Sequence, residues 1–174
     1  MTRGLAPHPG TSRARLLAAQ LAPEQAKAQY EVLLSVFAFV GGVGWTDASG
    51  WGGPAGTECA WYGVDCDNSG AIRSLNLGNG ATGNGLRGVW PGTILANLTS
   101  LVSLGLGSNM IEGDLSWFCV PTLQYLDLSA TAILGNLSAI AGLGVLEHLA
   151  LAYTAVTGYV AGRFRTFANL LTVL

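Results

Sequence analysis

LVSLGLGSNMIEGDL, residues 101–115, is followed by LQYLDLSATAILGNL, residues 123–137. The second stretch repeats the apolar positions of the first at an offset of 22 residues. Leu101, Leu104 and Leu106 answer to Leu123, Leu126 and Leu128, and the IEG at Ile111 answers to the ILG at Ile133. The pattern extends outward in both directions. IRSLNL begins at Ile72 and LEHLAL at Leu146, and the closing LLTVL offers Leu170 and Val173 to the first two slots once more. The starts lie 29, 22, 23 and 24 residues apart. A second signal keeps phase with the first: an apolar residue, one spacer and a glycine recur in LRGVW at Leu86, IEGDL at Ile111, ILGNL at Ile133 and VTGYV at Val156.

Three of the four spacings fall in the range of a leucine-rich repeat. Asn109 takes the asparagine place of that pattern, Asn84 serves in the first unit, and Thr131 and Thr154 replace it in the next two. A threonine hydroxyl can still bond backbone. Each unit is a short strand plus a return segment and cannot bury its leucines alone. Stacking puts Leu75, Leu104, Leu126 and Leu149 in one interior column and Leu77, Leu106, Leu128 and Leu151 in the next. The first unit carries a surplus, GNGATG from Gly78 to Gly83, which is expected as a surface insertion. The fold class is therefore α/β, a solenoid of four repeats and a partial fifth over residues 72–174. The chain stops inside a strand, which reads as C-terminal truncation.

Composition agrees. Of 174 residues, half are hydrophobic, 10% are charged and 25 are glycine. Disordered chains need low hydrophobicity and high charge. Eight basic against ten acidic residues leave a net charge of -2 and no basic patch, which argues against a nucleic-acid partner. Glycine does not fall at every third position, so collagen is excluded. The apolar run Val32–Trp45 is too short to span a bilayer. The uncharged stretch from Leu128 to Val145 is accounted for by the repeat, so no transmembrane segment is expected in this chain. Residues 1–22 read as a flexible leader without a clear signal peptide, because LLAAQLAP is a short apolar core broken by Gln20 and Pro23.

The exposed end of such a stack needs a cover. Pro23 suits a helix start, and the helix runs to a glycine stop at Gly41, with Tyr30, Leu33, Leu34, Phe37 and Val40 at three-and-four spacing. Trp45, Trp51 and CAWYGVDC, from Cys59 to Cys66, follow. VLLSVFAFVGGVGWTDASGW, then CAWYGVDC, then IRSLNL with its glycine-punctuated units resembles the N-terminal cap and first repeats of plant-type leucine-rich repeat proteins. The form is that of algal and oomycete variants. The resemblance covers about residues 24–174 and makes residues 23–71 a helical and hairpin cap. Departures are the missing leader, the long first repeat and threonine at two asparagine places. Family members include receptor-like kinases, receptor-like proteins and secreted inhibitors.

The resemblance implies a disulfide between Cys59 and Cys66, conditional on an oxidising compartment. Two buried thiols are the other reading of that pair. Cys119 is left over as a buried, unreactive thiol. Asn97-Leu-Thr and Asn136-Leu-Ser are N-glycosylation acceptors. They agree with an extracellular or cell-surface home, although this repeat type produces such triplets on its own.

Chemistry finds little purchase. Gly78, Gly80 and Gly83 spell GxGxxG after a strand, yet NGLRGVWP follows where a helix should open, and the first acid comes at Glu112. No cofactor and no metal is expected. Ser103 and His148 sit two strands apart, roughly 10 Å, which rejects a nucleophile–base pair. The chain reads as non-catalytic, although an enzyme domain following Leu174 would be compatible with it. Variable strand positions face outward on the concave side. The third and fourth strands gather Tyr125, Asp127, Glu147, His148 and, just beyond, Tyr153 as a candidate patch for a protein or peptide ligand. The expected function is a recognition module in a receptor-like ectodomain. The alternative is a secreted cell-wall or inhibitor-type protein without a signalling role.

Overall fold

The computed structural model describes residues 9–78 and 80–158, with side chains from residue 23 onward. Helix α1 spans Pro9–Phe39. It stops where expected, at Gly41, whose φ of 72° is the left-handed conformation that glycine enters without a Cβ penalty. Its start differs from the sequence expectation. Pro23 lies inside the helix, and residues 9–22, read as leader, are helical. Alanine, leucine, arginine and glutamine are strong helix formers and carry the helix through a proline that forfeits a single N–H bond. Residues 1–8 lie outside the described residues.

The inward face of α1 is rotated slightly from the expected stripe. Val32, Leu33, Val36 and Val40 are buried, and Tyr30, Leu34 and Phe37 are half-buried against the core. One polar residue joins them. Buried Gln29 donates from Nε2 to the Gly70 carbonyl at 3.2 Å and accepts at Oε1 from the Ile72 N–H at 2.8 Å. It fastens the helix to the first repeat strand. Gln29→Leu is expected to lower stability by about 2 kcal/mol in urea unfolding, because a buried N–H and a carbonyl lose their partners. An unchanged midpoint would show that water replaces both bonds.

Beyond the helix the cap is aromatic. Trp45 and Trp51 meet edge-on at 4.8 Å between ring centroids, and Trp51 lies 5.2 Å from Trp61. Each indole N–H is bonded: Trp45 to the Val40 carbonyl, Trp51 to the Tyr62 carbonyl and Trp61 to the Thr57 hydroxyl. Large apolar rings with satisfied polar edges make a packed plug. The disulfide Cys59–Cys66 closes the loop around it, with Cα atoms 5.6 Å apart.

Among the described residues nine strands follow: β1 (Val64–Cys66), β2 (Ile72–Asn76), β3 (Arg87–Val89), β4 (Ser103–Gly105), β5 (Met110–Asp114), β6 (Tyr125–Asp127), β7 (Ala132–Asn136), β8 (His148–Ala150) and β9 (Ala155–Thr157). They form two sheets, in the orders β1-β2-β4-β6-β8 and β3-β5-β7-β9. Only β1 runs antiparallel, against β2; all other pairs are parallel. In the first sheet the register follows the repeat, pairing Leu75 with Leu104, Leu104 with Leu126 and Leu126 with Leu149. Both expected leucine columns are buried.

The second sheet is what the sequence reading missed. The LRG, IEG, ILG and VTG elements, expected only as turn punctuation, belong to a ladder of strands. Their register is staggered two residues from the repeat, so that Val89 and Ala132 flank Glu112, and Asp114 and Ala155 flank Leu134. Glycine keeps its role there. Gly135 has φ 122°, and a Cβ on it would lie 3.1 Å from Asp114 Oδ2.

The repeats are tied by a buried asparagine. Asn109 Oδ1 accepts from the Asn84 N–H at 2.9 Å and the Leu86 N–H at 3.0 Å, while Nδ2 donates to the carbonyls of Leu77, Leu106 and Gly107. Asn84 does the same toward the cap, accepting from the Asp47 N–H and donating to the Asp47 carbonyl. Thr131 and Thr154 bond within their own units: each donates, to the carbonyls of Leu128 and Leu151 at 2.6 and 2.7 Å, and Thr154 also accepts from the Val156 N–H at 3.4 Å. At these two places the side chain bonds its own unit in place of the one before. The uncharged stretch at 128–145 contains β7 and the short turn Leu137–Ile140, and among the described residues no helix is long and apolar enough to cross a membrane. Leu170 and Val173, the partial fifth repeat, lie outside the described residues.

Candidate functional site

The outer face of the first sheet carries two columns. One runs Ser74, Ser103, Tyr125, His148, and the other Asn76, Gly105, Asp127, Ala150. Parallel pairing without stagger makes each column a straight row of side chains about 4.8 Å apart. Tyr125 and His148 are neighbours in the first, with ring centroids 5.9 Å apart and planes tilted 46°. Partial burial, and then the nearby Asp127 carboxylate, hold the Tyr125 phenol above its usual range. The phenol therefore remains a hydrogen-bond donor at neutral pH. Ser103 and His148 are separated by Tyr125, as the repeat implied.

The remaining candidates are placed differently. Asp127 is engaged at home: its Oδ1 accepts from the Ser129 N–H at 2.9 Å and from the Ser129 hydroxyl. Its carboxylate also lies over Gly107, where a Cβ would come within 2.9 Å of Oδ2. This carboxylate shapes the turn after β6. Glu147 is exposed beside Gln124, to whose carbonyl its N–H donates. Tyr153 stands outside the columns, in the turn after β8. Its φ is 58°, and it occupies the left-handed place that Gly83, Ser108 and Ala130 hold in earlier units. Tyr153 is 87% exposed. A bulky residue in that conformation costs roughly 1 kcal/mol.

Of the two candidate glycosylation triplets, the one at Asn97 places its asparagine exposed at the end of the turn Gly92–Asn97. Asn136 caps the turn Leu137–Ile140, its Oδ1 accepting from the Ser138 N–H at 2.9 Å, as Asp114 does from Ser116 one unit earlier. Cys119 is half-buried rather than buried. Its Sγ donates to the Ala139 carbonyl at 3.0 Å, and burial followed by the Asp114 charge pushes the thiol pKa up. In the glycine cluster, Gly80–Thr82 form an exposed short turn, as a surface insertion should.

The second sheet presents a different surface. Val89, Met110 and Leu134 are 52%, 57% and 53% exposed on strands β3, β5 and β7. A groove of about 390 Å³ opens among Val89, Glu112, Gly113, Asp114, Trp117, Ala132 and Leu134. Gly113 makes room for Trp117, since a Cβ there would meet the indole ring at 2.9 Å. Leu134 occupies the spacer slot filled by Arg87, Glu112 and Thr157 in the other units. An apolar residue in a polar slot was the available signal, and it acquires meaning only once the slot is known to face solvent.

No protein-family model matches the chain. Among solved structures it is similar to the BIR2 ectodomain from Arabidopsis thaliana, with 28% identity and a TM-score of 0.55 over 64% of this chain and 59% of that one. It is similar also to a chain of the BIR3–SERK2 complex from Arabidopsis thaliana, at 30% identity and a TM-score of 0.51 over 59% of this chain and 55% of that one. The leucine-rich repeat ectodomain of the receptor kinase SOBIR1, from the same plant, shares the fold at 19% identity and a TM-score of 0.51, over 80% of this chain and 86% of that one. The chain thus spans somewhat over half the length of the first two. In fold and repeat it resembles plant-type leucine-rich repeat receptor ectodomains.

Proposed function

We propose that the chain is a non-catalytic recognition module, a leucine-rich repeat solenoid with an N-terminal cap that binds a protein or peptide through the concave, outer face of its first sheet. The observation carrying this reading is the exposed Tyr125–His148 pair, held at 5.9 Å on adjacent strands of a regular sheet. Rings on rigid strands offer contact area and hydrogen-bonding groups at small entropic cost. Glu147 and Tyr153 extend the patch, and Asp127 sets its edge. One similar structure is a complex, of BIR3 with SERK2. Association of that kind is proposed here for a receptor-like ectodomain at the cell surface or outside it, where the Cys59–Cys66 disulfide would persist.

The test starts from peptides selected by display on the intact chain and measures their affinity for a variant carrying Tyr125→Ala, His148→Ala and Tyr153→Ala. About a tenfold loss is expected, the scale of removing an aromatic anchor. Peptides that bind the variant unchanged would assign recognition elsewhere. Tyr153→Gly separates binding from folding. It relieves the left-handed strain, so stability should hold or rise by about 0.5 kcal/mol while affinity falls.

A further inference from the structure

Apolar side chains crowd the outer face of the second sheet, whereas the first sheet shows mainly polar ones there. On three successive strands Val89, Met110 and Leu134 are each more than half exposed, and Trp117 lies half-buried beside Gly113. Within this apolar surface stand two carboxylates, Glu112 and Asp114, at alternate positions of β5 and hence on one face, about 7 Å apart along the strand. Among the described residues neither has a cation within ion-pair distance; the ion pair found there, Lys27–Glu31, is on the cap helix. Asp114 stays ionised, because the Ser116 hydroxyl and N–H bonds hold its pKa below the usual carboxylate range. The groove is therefore apolar in its walls and anionic along its centre.

We propose that this groove docks an extended protein segment in which an aromatic or aliphatic side chain lies between lysines or arginines at alternate positions. Residues at alternate positions of an extended segment share a face, so the apolar side chain enters between Val89, Trp117 and Leu134 while the cations reach Glu112 and Asp114. Charge complementarity selects this occupant. A second copy of the chain would have to bring a cation from the few it has, and a neutral apolar segment would desolvate both carboxylates without a countercharge. This surface is separate from the Tyr125–His148 face and makes the module two-sided, able to hold one partner on each sheet.

The experiment titrates the intact isotope-labelled chain with the peptide acetyl-KGFGK-amide and follows backbone and indole shifts by NMR. Expected are shifts at Val89, Gly113, Leu134 and the Trp117 indole, and little change at Tyr125 or His148. The neutral peptide QGFGQ and the peptide KGGGK without a ring should each bind about fivefold more weakly. Leu134→Gln and Glu112→Gln, both at exposed positions, should weaken KGFGK similarly while leaving the spectrum of the free chain folded. Equal binding of all three peptides, shifts confined to the first sheet, or no saturable shift would overturn the proposal. So would concentration-dependent self-association abolished by Leu134→Gln, which would assign the groove to a second copy. Because the two sheets report through different resonances, failure here leaves the reading of the first sheet standing, and the reverse.

Discussion

Asn109→Ala is expected to destabilise the protein by about 3–5 kcal/mol, a large share of the stability a domain of this size possesses. The side chain is buried and makes five bonds, two accepted from N–H groups of the preceding unit and three donated to carbonyls. Alanine would leave the Asn84 and Leu86 N–H groups without a protein acceptor in a dry interior, and each such orphan costs about 1–3 kcal/mol. The loss falls between units, where a stack is held by neighbour contacts. Hydrogen exchange should therefore show the amides of β2 and β3 losing protection together. Urea unfolding is the direct measure, and a loss under about 1 kcal/mol would mean that water enters and takes over the bonds. Asn109→Thr should fall between, since Thr131 shows that a hydroxyl at this place keeps one carbonyl bond and drops the link to the unit before. The reverse change, Thr131→Asn, should be neutral or stabilising.

What the residues disclosed, and what they concealed, follows from element length and period. The strands of the first sheet were legible because LxxLxL fixes two interior columns, and one pattern recurred from Ile72 to Leu151. The glycine stop at Gly41 was legible because it ends an apolar period. The strands of the second sheet were not. Each is three to five residues long, and β3, β5 and β7 contain a glycine, so the alternation that marks a strand never accumulates and a turn is the natural reading. Only pairing to the next unit makes them strands. The same blindness hid the groove, whose walls come from three units. Within the first-sheet patch, Tyr125 and His148 were placed side by side by register alone. The bond of Asp127 to Ser129 was not legible, because it is a local device, repeated in Asp47 with Ser49, Asp67 with Ser69 and Asp114 with Ser116. Tyr153 could be seen as aromatic but not as left-handed, since no residue preference there announces the conformation. Pro23 misled because a proline start is a preference, and strong helix formers on its N-terminal side outweighed it.

Removing the Cys59–Cys66 bond is expected to cost about 2.5 kcal/mol, the chain-entropy value for a loop of this size. The cysteines are 7 positions apart, so the loop is short, and its effect lies mainly in the unfolded chain. A local effect adds to it. Cys66 belongs to β1, the edge strand that covers β2, and Cys59 sits in the turn Glu58–Ala60 that leads into buried Trp61. Without the bridge, β1 is held by its pairing with β2 and by the Trp51 N–H bond to the Tyr62 carbonyl. The expectation is a lowered urea midpoint for the variant carrying Cys59→Ser and Cys66→Ser, with β1 and the Trp51–Trp61 contact opening before β4 and β6. The wild type under reducing agent should show the same shift, and Cys119→Ser should show none, because Cys119 forms no bridge. A midpoint insensitive to reductant would mean that the tryptophan plug alone closes the cap, and that an oxidising compartment is no requirement for this fold. A cap that opens first under reduction would instead uncover Leu75 and Leu77 at the end of both leucine columns, tying the integrity of the whole stack to the redox state of its surroundings.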